Sequence, residues 1–564
     1  MTQKFISGLL VGTALFITGC GDADNVYDTI IYDGMVYDGS GRAPVESDIG
    51  IRGDRIVAVG DLSGAATVNA IDADGMAVSP GFINMLSWAP TSLIIDPRGM
   101  SDVTQGVTLE VFGEGWSMGP WNDAIKAERK KGMSDDNAYE IAWTTLGEYM
   151  DHMEQRGISP NIASFVGATT VRIHELGRDD VDPTPEQLAR MQDHVRTAMK
   201  EGALGVGSSL IYAPAFFAET DELIALNKAA SEFGGMYISH IRSESKNLEA
   251  AVEELITISR EANVPAEIYH LKASGQPNWH KIDWVIDRVN KARAEGLAIT
   301  ADMYTYPASS TGLDASMPLW VQEGGYDKWR ERLMDPAIRP RVKAEILGAD
   351  GSTDSRFKDT GPDKILLVGF RNPDLRKYVG KTLQEVADER GVDAADAMID
   401  LVIEDGSRVQ VVYFSMDEEN LKKKVAQPWL SFGSDAGGIA NEGVFIKNST
   451  HPRAYGTFAR VIGKYVRDEK IITLQEAVRK MTHLPATNLK LKNRGLLAEG
   501  YYADVVIFDP AKVQDHATFA KPHQYSTGVD HVFVNGVQVL KDGQHTGATP
   551  GRVVRGPGWT GWTK

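Results

Sequence analysis

GALGVGSSLIY (202–212), GMYISHI (235–241), VPAEIYHLKA (264–273) and LAITADMYTY (297–306) are four short apolar runs in quick succession. Between them lie TDELIALNKAASEFG (220–234), KNLEAAVEELITISREA (246–262) and HKIDWVIDRVNKARAEG (280–296). In these intervening stretches apolar residues recur at the three- and four-residue spacing of a helix with one buried face. Strand and helix alternating at about 30 residues per unit predict βαβ repetition and a parallel sheet. Roughly 400 residues of this texture fit a (β/α)8 TIM-like barrel with insertions better than a doubly wound sheet. No G-x-G-x-x-G follows an early strand, which weakens a dinucleotide-binding reading.

Working outward, residues 28–78 change character. TIIYDGMVYDG, DIGIRGDRIVAVG and VNAIDADGMAV are short β-like runs punctuated by Asp-Gly and Gly-Asp turns. The same texture returns in YYADVVIFDP (501–510) and GVDHVFVNGVQVLKDG (528–543). The two flanks are expected to meet in one small β-sandwich domain, residues 28–78 and 493–564, around a central unit at 79–492. Residues 307–360 read either as a cover over the site or as a packed surface excursion.

Lys4 followed by the apolar stretch Phe5 to Ile17 reads as a secretory signal over residues 1–19, too short to span a bilayer in the mature chain. Ile17-Thr18-Gly19-Cys20 resembles a bacterial lipobox, so Cys20 is expected to carry lipid and residues 20–27 to act as a tether. Gly21, not Asp, follows, which by analogy with bacterial sorting points to the outer membrane. Cys20 is the only cysteine, so no internal disulfide forms. The chain is 42% hydrophobic and 24% charged, enough to bury a large core. Its net charge of -18, without a basic block, argues against nucleic acid as a partner.

Polar residues sit at the ends of the predicted strands: His240, His270, Asp302 and Asp435. In a βα barrel those ends face the active-site mouth. Two such histidines on successive strands, followed by strand-end carboxylates, suggest metal ligation. Glu114, between Gly113 and Gly115, is the third candidate ligand. Two His and one Glu make a catalytic zinc shell with one position left for water, and Asp435 is placed to move that water's proton.

EGALGVGSSLIYAP (201–214), SHIRSE (239–244), HLKASG (270–275), FGSDAGG (432–438) and HPRAYGTFARVIG (451–463), in this order and spacing, resemble the N-acyl-D-amino-acid deacylases (D-aminoacylases) of the amidohydrolase superfamily. MTHLPATNLKLKNRGLLAEGYYADVVIFDP (481–510) resembles the closing segment of many amidohydrolases. The resemblance runs over roughly residues 28–545. It implies hydrolysis of the linear amide of an N-acyl amino acid, with one Zn2+ per chain or another divalent ion. It further implies that His240 and His270 are metal ligands, that Asp435 is the general acid/base, and that Arg453 grips the substrate carboxylate. Tyr212 and Lys272 are implied to line the substrate site. Glu114 falls where the family usually has a cysteine ligand.

AVSPGFINMLSWAP (77–90) enters the first barrel strand as such hydrolases do, but Leu86 and Trp88 stand where a His-X-His pair is usual. The resemblance implies that the second metal position is the weakly occupied one, so losing it is compatible with a one-metal enzyme, and Trp88 is free to wall the pocket. Two alternatives stay open: a non-catalytic acyl-ligand-binding lipoprotein, and a cyclic amide hydrolase. The latter is disfavoured by the missing His-X-His and bridging lysine.

Overall fold

The computed structural model describes residues 26–133, 137–348 and 356–563. The alternating texture folds into short, fully buried parallel strands: β1 (Phe82–Asn84), β2 (Val107–Phe112), β3 (Asn161–Ser164), β4 (Val166–Gly167), β5 (Gly205–Ser209), β6 (Met236–His240), β7 (Ala266–Ile268), β8 (Ile299–Met303) and β9 (Leu430–Phe432). They pair in chain order in two parallel sheets, β1 to β3 and β4 to β9. Burial on both faces is what helical crossovers produce, and it explains why these strands read as continuous apolar runs. The barrel expectation meets a difference here: among the described residues the strands form no single closed ladder. The break between β3 and β4 falls at Phe165, whose amide bonds Phe112 O at 2.8 Å.

The helices follow from local chemistry. Thr184 and Gln187 form a reciprocal capping box ahead of Pro185–Lys200, with proline in the first turn, where no N–H is needed. In Leu248–Ala262 the buried positions Leu248, Val252, Leu255, Ile256 and Ser259 form one stripe. Asn263 ends that helix in the left-handed conformation at φ 54°.

Strands from the two ends of the chain join through hydrogen bonds in one nine-stranded sheet. The seam is antiparallel, Ala77–Pro80 against Val505–Phe508. Ile31, Ile49, Ile51, Val78, Val505 and Ile507 pack together on it. Phe82 of β1 sits between Phe458 and Phe508, at 6.3 and 6.2 Å, and ties this sheet to the parallel strands. The first strand begins at Val26, so the last two residues assigned to the tether are strand. The signal segment and Cys20 lie outside the described residues. Among the described residues no helix is long and apolar enough to cross a membrane.

Between β8 and β9 the chain leaves the parallel strands. Ser309–Gly312, Ile365–Gly369 and Gln410–Tyr413 form an antiparallel three-stranded sheet. This sheet and its helices have their own core, including Leu313, Trp329, Leu367, Leu401 and Val411. The excursion expected at 307–360 therefore continues to about residue 413, and its first strand reaches the mouth of the site.

Candidate metal centre and active site

The C-terminal ends of the parallel strands converge on a cavity of about 880 Å³. Glu114 reaches it from the turn after β2. Gly113 and Gly115 take φ of 110° and 70°, and a Cβ on either would lie 2.5 Å from Phe165 O or 2.4 Å from Ser209 Cβ. Only glycine lets the turn pass that close to its neighbours. His240 ends β6, while His270 and Asp435 follow β7 and β9 with φ of 35° and 49°. Positive φ at two non-glycine residues is local strain of the kind that collects at functional sites.

Glu114 Oε1 lies 2.9 Å from His240 Nδ1 and 2.9 Å from His270 Nε2. All three side chains are buried, and their ligand atoms lie within 4.8 Å of one another. Two imidazoles and one carboxylate oxygen aimed at a common point match a three-ligand zinc site with an open fourth position. Behind them, Glu244 Oε1 faces His270 Nδ1 at 3.2 Å and His240 Nε2 at 3.4 Å. A carboxylate there favours the imidazole charge of both rings, although His240 Nε2 makes no hydrogen bond to it.

Electrostatics divide the ligands. Burial depresses the His240 imidazole to about 4. Burial and Lys272 also work against protonation of His270, but Glu114 and Glu244 outweigh them and lift it to about 9. Burial opposes ionisation of Glu114, yet the two histidines hold its carboxyl well below the usual range. Burial raises Asp435, with Arg453 and His270 pulling it back.

Arg453 is buried at the start of Arg453–Arg460, held by His451, whose Nδ1 accepts the Arg453 amide at 3.0 Å. Its guanidinium lies over the Tyr304 ring, and Nη2 donates to Ser310 O at 3.3 Å. Nη1 approaches Asp435 Oδ2 at 2.7 Å without hydrogen-bond alignment, so the Nε and Nη1 protons both lack a partner. Tyr212 lines the same cavity and shares a 2.7 Å hydrogen bond with Thr311. Lys272 is buried, donates to Glu244, and lies 2.7 Å from His270 Nδ1. The seven residues given a role in the site thus line one cavity, whereas Asp302, the other strand-end carboxylate, is fully buried outside its lining and accepts the His270 amide at 2.9 Å.

Sequence reasoning missed several contributors. Glu244 stands four residues after His240 in SHIRSE, a spacing that could have flagged it. Arg356, which bonds Glu244 at 3.2 Å, and Arg408, over the Tyr212 ring at 5.0 Å, come from the excursion and carry no local signature. Trp88 lines the cavity, and its indole N–H donates to Glu114 Oε2 at 2.8 Å. A second group, His174, Glu175 and His194, is half-buried and outside this cavity; Arg190 holds its carboxylate at 2.8 Å.

The chain is 32% identical to a D-aminoacylase from Alcaligenes xylosoxydans xylosoxydans over 94% of its own length and 97% of the relative's. It belongs to the N-acyl-D-amino-acid deacylase family. Residues 386–540 match the amidohydrolase family profile. Among solved structures of this deacylase family, the chain resembles an N-acyl-D-glutamate deacylase from Bordetella bronchiseptica, solved with zinc and a phosphonate mimic of the tetrahedral intermediate. That likeness has a TM-score of 0.76 at 30% identity and covers 94% of this chain and 99% of the other. A D-aminoacylase structure described by its binuclear metal centre, with one-metal activation and second-metal attenuation, gives 0.77 at 30% identity, covering 94% and 100%. The deacylase family makes the chain an amidohydrolase.

Proposed function

We propose that the chain is a zinc-dependent hydrolase cleaving the linear amide of N-acyl-D-amino acids to a carboxylic acid and a free amino acid. The observation that carries this reading is one cavity in which the buried Glu114, His240 and His270 cluster faces Asp435 and the buried guanidinium of Arg453. A guanidinium fork recognises a carboxylate, and an N-acyl amino acid presents one next to its amide. The activities named for the relatives support the substrate class and its D configuration.

Zinc held by Glu114, His240 and His270 would polarise the amide carbonyl and lower the pKa of a water molecule. Asp435 takes the proton from the attacking water and delivers it to the leaving nitrogen, so that one amide and one water give one acid and one amine. Burial pushes the Tyr212 phenol up to about 12. It therefore keeps its proton at neutral pH and donates to the carbonyl oxygen as charge grows there. Arg453 anchors the substrate carboxylate, and Lys272 balances the buried charge of Glu244.

We infer that the two parallel sheets are arcs of one (β/α)8 barrel. Met85 N to Phe432 O at 3.2 Å and Asp435 N to Leu86 O at 2.8 Å join β1 to β9, and the Phe165 bond joins the other seam. On this reading the barrel occupies residues 79–492 and the terminal sheet is its satellite. The envelope location follows from the lipobox-like end at Cys20; mass spectrometry of the mature N-terminal peptide tests for lipid there.

The test of the activity is amine release by zinc-stripped and zinc-reloaded protein. The panel holds N-acyl D- and L-amino acids and amides lacking the carboxylate. Zinc-dependent turnover restricted to substrates with the carboxylate, and lost in His240→Ala and Asp435→Asn, is the expected result. Equal turnover of carboxylate-free amides rejects it. Tight binding of N-acyl ligands with no turnover favours the binding-protein alternative.

A further inference from the structure

Both unusual residues of this metal centre, Trp88 and Glu114, are bonded to each other. Glu114 Oε1 faces the two histidines, while Oε2 accepts the Trp88 indole N–H at 2.8 Å. The indole is anchored through its backbone, since Trp88 N bonds Ala436 O at 2.9 Å beside Asp435. A second ion sharing the Glu114 carboxylate would need Oε2. That oxygen is capped by a proton donor, and an indole offers no lone pair in exchange. Leu86, two residues back, is fully buried among Ile83, Met85 and Leu109 and has no ligand atom. The Ser87 hydroxyl accepts from the Ala89 amide at 3.2 Å. Of the other carboxylates nearby, Asp435 is paired with Arg453, and Glu244 with Lys272 and Arg356.

We propose that Trp88 occupies the seat of a second metal ion and holds Glu114 as a one-oxygen ligand, so that the centre stays mononuclear and is not attenuated by excess metal. The proposal rests on the zinc hydrolase reading above. It makes Trp88 a positioning residue with two separable effects. The N–H fixes the carboxylate so that Oε1 alone meets the ion and the fourth position stays open. The ring fills the space where a further ion would sit. A carboxylate freed from the indole can swing away from the ion.

The experiment uses the mature chain carrying His194→Ala, which removes the other His and carboxylate group among the described residues that could take an ion. Zinc per chain is measured by elemental analysis after equilibration with excess zinc, and affinity by competition with a chelator. One ion per chain is expected in this background. Trp88→Phe, which keeps an aromatic ring in place and loses the N–H, is expected to retain one ion with affinity weakened about 10–100-fold, the usual effect of losing a partner behind a metal ligand. Leu86→His with Trp88→His is expected to take up a second ion and to lose rate as zinc rises. Circular dichroism verifies that each variant is folded. Two ions in the background protein, unchanged affinity in Trp88→Phe, or a double variant that stays at one ion overturns the proposal. Failure of the hydrolase reading looks different: the stoichiometry and affinities come out as expected, yet no N-acyl amino acid is cleaved.

Discussion

Arg453 Nη1 lies 2.7 Å from Asp435 Oδ2, so the group assigned to the substrate carboxylate also sets the charge of the group assigned to the proton. Burial raises Asp435, and Arg453 is the leading force against that rise. Removing the cation disfavours the carboxylate form further. Arg453→Ala is therefore expected to move the acid limb of the kcat/KM profile to higher pH. It is also expected to lower kcat/KM for N-acyl amino acids by roughly 10–100-fold, the value of a charged hydrogen bond of about 1.5–3 kcal/mol. A carboxylate-free amide feels only the shift in the limb. An unmoved limb contradicts the coupling.

Metal loading is expected to release a proton. Without metal His270 titrates at about 9 and His240 at about 4. At pH 7 the first is protonated and the second is not. Ligands bind deprotonated, so zinc displaces about one proton per chain, and affinity falls about tenfold per pH unit from 9 down toward 4. Calorimetry in buffers of different ionisation enthalpy counts that proton. A count near zero rules out the charged His270 between two carboxylates.

Phe82 is fully buried between Phe458 and Phe508. Phe82→Ala leaves a cavity where the terminal sheet meets the parallel strands. The expected cost is about 3–5 kcal/mol in urea unfolding. A loss below about 1 kcal/mol would mean that this contact does not bind the two parts together.

Glu110 and Asp102 are both fully buried and share Asn84, whose Nδ2 reaches them at 2.9 and 3.2 Å. Burial pushes Glu110 up from 4.5 to about 7. Between those values the folded chain keeps a proton that the unfolded chain has lost, so stability falls as pH rises through that window and levels off above it. Glu110→Gln is expected to weaken this dependence in thermal melts between pH 5 and 8, the remainder belonging to Asp102, which burial and Glu110 hold well above its usual range; an unchanged slope assigns it to other groups.

The strand ends bearing His240, His270 and Asp435 are legible in the sequence because β/α periodicity marks them independently of what they do. Glu114 is legible only as a carboxylate between two glycines, and the close approach that demands those glycines becomes visible with Phe165 and Ser209 in place. The Trp88 to Glu114 bond joins two strand ends 26 residues apart, and neither residue type announces the other. Arg356 and Arg408 enter from an excursion whose strands pair with one another rather than with the parallel sheets. The flanking runs show β character, but alternation of apolar residues does not say which strand of one flank pairs with which strand of the other.

The sheet that joins the two chain ends has a consequence for how the protein is made. Ala77–Pro80 pairs with Val505–Phe508, which the ribosome adds about 400 residues later. At about 5–20 residues per second, the early strands wait on the order of half a minute for their partner. Throughout that interval the side chains of Ile31, Ile49 and Ile51 lack the strand that completes their cover. Biogenesis of this chain thus contains a long window of aggregation risk at its leading end, and whatever shields that end during synthesis governs how much active protein accumulates.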